Sequence, residues 1–371
     1  MRRRIVLGLM SAAAAVAALL PRTPAFAARQ SDKDGEFLAG MVRTHALPRF
    51  DALVAAATAY VDTLDRFAAG PTAAGLEEAR TAHTRVTDAW AGVQHLRPGP
   101  LTVNLRADRL SFWPERAGVV QRQIGQILRD HDPKLLQPGA LARQSAAVQG
   151  LTVLERLLFD ENVTVESFTG SDAKRYRGLL AAAAARNVAA IATDARDGWK
   201  ELEAPLAAGE ATVLGPTASE AVNTLYASAI TAMQVIIDQK LMAPLGTGIE
   251  DAKPAVVEAL RSGRALRNIA LNLEGLRALL MGENDGPGFV SLLPPGEDGA
   301  TARQAIDESF AAAIGAVEAV PGPLNKAVTD PAARKKADGA LRLIKAARVE
   351  MLGTLAPLLD ITLGFNELDG D

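Results

Sequence analysis

Apolar positions recur at helical spacing over almost the whole chain, interrupted by short Pro/Gly punctuation. Residues 37–67 read as a first helix, bent at Pro48, whose ring removes a backbone donor. Gly70-Pro71-Thr72 ends it, and a second helix is predicted over 73–96. Arg97-Pro98-Gly99-Pro100 admits no helix. Residues 104–114 read as irregular or partly helical, and a helix over 116–129 follows. Asp132-Pro133 and Pro138-Gly139 bracket a turn ahead of helices over 141–159 and 172–206. A loop at 209–216 lies near the midpoint. Beyond it, Thr217-Ala218-Ser219-Glu220 is a capping box that opens a helix to residue 242. Helices are then predicted over 254–261 and 265–281, a polar Gly/Pro-rich loop over 282–298, and helices over 302–320 and 331–355. Asp330 is a good N-cap for the last, with Pro331 at its first helical position.

No alternating run is long enough to argue for a sheet, and no fixed-period repeat is present. The pattern predicts an all-α protein of two packed helical bundles, residues 28–215 and 216–371. Composition agrees. Of 371 residues 49% are apolar and only 4% aromatic, with Ala and Leu dominant, which favours helix over strand.

The first 27 residues stand apart from the fold. Arg2, Arg3 and Arg4 precede an apolar stretch over 5–20, and Ala25-Phe26-Ala27 is a small-x-small cleavage site. That is the layout of a secretory signal peptide, and the apolar stretch is shorter than the ~20 residues a spanning helix needs. Removing Arg2, Arg3, Arg4 and Arg22 leaves 36 basic against 43 acidic residues, net −7. The expected location is the periplasm. With no cysteine there is no disulfide and no lipidated cysteine, so helix packing alone must stabilise the mature chain. No second long apolar stretch predicts a membrane span. No basic block with interleaved aromatics supports nucleic-acid binding.

Motifs for nucleophilic or zincin chemistry are absent: no cysteine, no G-x-S-x-G, no H-E-x-x-H. His45, His83, His95 and His131 are the only histidines, no two of them three or four residues apart, and each reads as structural. One segment combines a polar face with an apolar one. In Val148 to Phe159, the residues Gln149, Thr152 and Glu155 share one helix face, beside a Leu151/Leu154/Leu158 stripe. Position alone leaves Glu155 as either an ion-paired rim residue or a functional carboxylate.

At this segment the chain resembles the imelysin family, whose signature is G-x-H-x-x-E in a helix ending in a Leu-Leu-Phe-type run. Here it stands as Gly150-Leu151-Thr152-Val153-Leu154-Glu155, then Leu157-Leu158-Phe159. Ala89-Trp90 with His95 to Leu101, and Arg109 with Phe112-Trp113-Pro114, are similar to other family blocks. So are Lys240-Leu241 with Pro244-Leu245, Ser262-Gly263-Arg264, Asn272-Leu273 with Gly275-Leu276, and the Gly364-Phe365-Asn366…Asp369-Gly370-Asp371 ending.

The resemblance implies an all-α two-domain fold, a signature helix facing a cleft between the domains, and a link to iron acquisition. It makes Glu155, Thr152, Trp113, Arg109, Asn272 and Ser262 the candidate ligand-binding residues. Glu155 is the candidate metal ligand, with iron or another divalent metal as the implied ion. The departure lies at Thr152, where the family has His: a neutral hydroxyl binds such ions weakly, so the metal pair is incomplete.

The resulting expectation is a periplasmic, non-catalytic binding component tied to iron or other metal uptake. Its partners would be a small ligand or metal ion and other periplasmic uptake components. A metal-dependent peptidase and an oligosaccharide- or solute-binding module are the alternatives. The peptidase needs about three protein ligands and a general base that no compact constellation here supplies, so the reading leans away from an enzyme.

Overall fold

The computed structural model describes residues 24–115 and 118–361; most of the expected export signal and the Gly364–Asp371 ending lie outside the described residues. The described chain is all-α. Its main helices are α1 (Pro24–Met41), α2 (Leu47–Ala69), α3 (Ala73–Ala91), α4 (Val119–Asp130), α5 (Gly150–Phe159), α6 (Asp172–Ala207), α7 (Ala218–Val235), α8 (Ala265–Met281), α9 (Glu297–Glu318) and α10 (Pro331–Glu350). An isolated antiparallel bridge, Thr212 with Gly215, folds the loop between α6 and α7.

Local chemistry explains the helix ends. Thr72, Ser171, Thr217 and Asp330 each accept, through their side chains, the backbone N–H of the third residue of α3, α6, α7 and α10. Proline explains an unforeseen feature. Pro48, Pro244 and Pro357 each follow a π-helical stretch, Val42–Ala46, Ile236–Met242 and Met351–Leu355. In each case the residue before the proline donates to the carbonyl five residues back. A proline has no N–H for the i−4 carbonyl, and widening one turn carries the helix past the gap without breaking it. The Thr44 carbonyl that Pro48 leaves without its helical donor accepts the Asn284 amide at 2.8 Å. The bend expected at Pro48 is therefore a π-turn between α1 and α2.

Two other predicted elements differ. The helix expected over 141–159 begins only at Gly150, because Gln149 is extended and Gly150 has φ +74°; short 3-10 turns precede it. Residues 254–261, expected as a helix, form one 3-10 turn, Pro254–Val256, and then irregular chain.

The longest helix, α6, carries a buried alanine run, Ala181 to Ala185. Small side chains let α2 approach closely, and the two pack along most of their length, with Leu53, Ala57, Tyr60 and Leu64 of α2 fully buried. Each large apolar side chain buried this way contributes roughly 1.5–3 kcal/mol. In the second half α9 packs on α10 and α8. Helix α1 touches both α6 and α7, and buried apolar residues form one contiguous cluster from Phe37 to Ala356.

Candidate functional site

The site begins with how α5 is held. A side chain at Gly150 would put its Cβ 2.3 Å from the carbonyl oxygens of Arg109 and Leu110, so only glycine admits this approach. Just before it, buried Gln149 donates to the Gln144 carbonyl at 2.7 Å and accepts from Arg109 Nε at 3.0 Å and Asn187 Nδ2 at 2.9 Å. At the other end, Arg177 donates to the carbonyls of Leu157 (2.9 Å) and Arg156 (3.1 Å), and Arg80 to that of Leu158 (2.9 Å). Two guanidinium groups thus satisfy the terminal carbonyls and meet the negative end of the helix dipole.

Held there, α5 lines a cavity of about 720 Å³ with Leu151, Thr152, Glu155 and Arg156. Helix α3 contributes His83, Thr87 and Trp90, which fall at i, i+4 and i+7 and so share one face. Trp113, Pro114 and Glu115 form a third wall, and the irregular 255–261 segment a fourth.

Glu155 is the buried polar centre, 6% exposed. One carboxyl oxygen, Oε1, accepts the Ser262 backbone N–H at 2.9 Å and the Ser262 hydroxyl at 2.6 Å. Among the described residues Oε2 has no hydrogen-bond partner, and no salt bridge reaches the carboxyl group. Burial pushes its pKa up, while the two Ser262 bonds and the nearby Arg261 charge pull the other way. Glu155 is neither an ion-paired rim residue nor a free surface acid. Thr152, one turn before it, makes only a long contact from its hydroxyl to the Phe112 carbonyl, 3.4 Å.

The remaining charges at the cavity are mostly paired. Arg156 meets Glu115 at 2.7 Å, and Arg261 meets Asp160. Lys240 lies behind the wall, 3% exposed, with Nζ donating to Glu258 (2.9 Å), Gln94 (2.8 Å) and Asn272 (2.7 Å). Burial pulls the Lys240 pKa down and Glu258 opposes that shift. The Trp113 ring lies over this ammonium, 5.8 Å from centroid to Nζ. Asn272 also donates to the Ala91 carbonyl at 2.7 Å, which ties α8 to α3.

The structure thus brings Glu155, Thr152 and Trp113 to one cavity, while Ser262 does not line it and holds Glu155 from behind. Arg109 and Asn272 do not line it: one fixes Gln149 before α5 and the other sits in the Lys240 network. Three functional candidates were not foreseen: His83, Lys240 and Glu258. The i, i+4, i+7 spacing of His83, Thr87 and Trp90 was a legible signal for the first. Nothing periodic marks Glu258, which sits on irregular chain.

A second buried polar chain joins the halves beside Gln94. His45 Nε2 and His95 Nε2 meet at 2.7 Å, fifty residues apart in sequence. His45 Nδ1 lies 2.6 Å from Glu283, which Arg49 holds at 2.6 and 2.9 Å. Burial lowers both histidine pKa values. Burial alone would raise that of Glu283, but hydrogen bonds from His45 and Arg49 hold it at about 2.

The described chain is all-helical, as the signature segment implied, and the signature helix lines a cavity. The family model for Imelysin matches residues 46–349. This chain belongs to the imelysin family. It is similar in fold to a crystal structure of an imelysin-like protein from Psychrobacter arcticum 273-4, with 16% identity and a TM-score of 0.74, covering 90% of this chain and 98% of that one. A structure described as an iron-regulated protein A precursor from Parabacteroides distasonis ATCC 8503 is also similar, with 15% identity and a TM-score of 0.69, covering 88% and 95%. No curated protein matches the chain.

Proposed function

We propose that this protein is an exported, periplasmic, non-catalytic binding component of an uptake system, holding a small organic ligand in the cavity against Glu155. The observation that carries the reading is the state of Glu155: buried, fixed on one oxygen by Ser262, and with its other oxygen left without a partner among the described residues. A carboxyl group held so rigidly in a cavity of about 720 Å³, the size of small-molecule sites, is a recognition group. Export is supported by the n-region, apolar stretch and cleavage triplet of residues 1–27. Among the described residues no helix is long and apolar enough to cross a membrane. The division into bundles at 28–215 and 216–371 belongs to the same reading, with the Lys240 and His45–His95 networks as the seam between them.

Iron enters through the family resemblance and through the description of the Parabacteroides protein. The donor set here does not suit a bare ion. Among the described residues no three His, Cys, Asp or Glu side chains are grouped to hold one, and Thr152 offers a hydroxyl where the family has an imidazole. The donor set therefore favours an organic ligand over a bare ion. The same donor set gives a metallopeptidase mechanism no footing, and no catalytic step is assigned to any residue.

Native mass spectrometry of the mature protein isolated from its own cell envelope tests the proposal. A small organic adduct should be present in the wild type and lost in Glu155→Ala. A wild type that carries no adduct, or an adduct indifferent to Glu155→Ala, would overturn it.

A further inference from the structure

His83 is absorbed by no part of the family signature, yet it lines the same cavity as Glu155 from the facing helix. Its Nδ1 is 3.2 Å from the hydroxyl of Tyr60, which is fully buried and has no other partner among the described residues. The phenol hydrogen has nowhere else to go, so Tyr60 donates to Nδ1 and Nε2 carries the imidazole hydrogen. Among the described residues Nε2 has no acceptor. The rings of Tyr60 and Phe159, with centroids at 5.8 and 5.2 Å, fix the imidazole plane. Burial, with the Arg264 charge adding to it, lowers the His83 pKa to about 3, so the ring is neutral across physiological pH.

The cavity offers groups of both kinds: His83 Nε2 is a donor, and Glu155 Oε2, whose sister oxygen is taken by Ser262, is an acceptor. Arg156, Arg261 and Glu258 already have ion-pair partners, and Lys253, the remaining cation of the lining, is solvent-exposed. An ion of one sign would satisfy only one kind of group, whereas hydroxyls and amides satisfy both. Trp113 supplies an aromatic face for a ring.

We propose that the cavity takes an uncharged, ring-bearing molecule rich in hydroxyl and amide groups, a saccharide unit being the simplest, with His83 Nε2 and Glu155 Oε2 as its buried polar contacts. The inference rests on the reading of the cavity as a ligand site and adds to it the ligand class and a second recognition residue.

Calorimetry on the mature protein with N,N′-diacetylchitobiose and cellobiose, and with citrate and ferric ion as charged comparators, tests it. At least one saccharide should bind saturably and neither ion should. His83→Phe should weaken saccharide binding at least tenfold, while His83→Gln, which keeps an N–H donor, should restore most of it. In nitrogen-resolved imidazole spectra, saccharide should move the His83 Nε2 resonance and leave those of His45 and His95 in place. Two results would overturn the inference: neither saccharide binding, or His83→Phe binding as the wild type does. A Glu155-dependent native adduct alongside either result would leave the cavity reading standing and remove only the ligand class and the role of His83.

Discussion

Glu155 and Gly150 show how differently two residues of one motif serve the site. Gly150 is structural. At φ +74°, with its missing Cβ 2.3 Å from two carbonyl oxygens, it has no tolerable substitute. Gly150→Ala should cost about 3 kcal/mol or more in denaturant unfolding, the range of a strained and clashing backbone position. Glu155→Gln keeps an acceptor for Ser262, so it should change stability by less than about 1 kcal/mol while removing the native adduct. A large loss of stability in Glu155→Gln would show that the carboxylate serves the fold instead. Thr152, the departure from the family pattern, makes only the long contact to the Phe112 carbonyl.

Helices were the most legible level of this chain, and their exceptions have identifiable causes. The caps at Thr217 and Asp330 were readable because side-chain acceptors at those positions do one local job. The start of α5 was not, since its turn depends on Gly150 meeting the Arg109 and Leu110 carbonyls, a contact made across forty residues of sequence. The π-turns before Pro48, Pro244 and Pro357 also escape apolar periodicity, because they shift register without interrupting the helix. Of the candidate site, Glu155 and Ser262 were found as separate residues and the structure joins them. His83, Lys240 and Glu258 were missed because burial and pairing, not residue type, give them meaning.

The arginine clamp on α5 belongs to this scale too. Arg177→Ala frees the carbonyls of Leu157 and Arg156 from a charged donor and should cost about 1.5–3 kcal/mol. Thermal unfolding should fall by several degrees; an unchanged midpoint would show that water replaces the guanidinium at no cost.

At the scale of the whole molecule, buried polar groups join the two halves and make stability depend on pH. His45, His83 and His95 are held neutral by burial, with pKa values below the ordinary 6.5. The unfolded chain takes up protons at these positions as pH falls below about 6.5, whereas the folded chain does not, so stability falls with pH from there. For His83 the loss continues down to about pH 3. Glu283 adds a loss in the same direction between its unfolded value near 4.5 and about 2. The urea midpoint should therefore be lower at pH 5 than at pH 7, and His83→Phe should flatten that slope. A slope unchanged by the variant would contradict the assignment of a neutral His83.

Lys240→Met tests the buried Lys240–Glu258 pair directly. It leaves Glu258 buried without its cation and should cost about 3–5 kcal/mol; replacing Lys240 and Glu258 together by Met and Leu should recover much of it.

A crystal structure of the mature protein as isolated from its cell envelope tests most directly whether a ligand rests against Glu155. Density for an organic molecule within hydrogen-bond distance of Glu155 Oε2 is the result predicted. A cavity holding ordered water alone, with organic density elsewhere or nowhere, would contradict it.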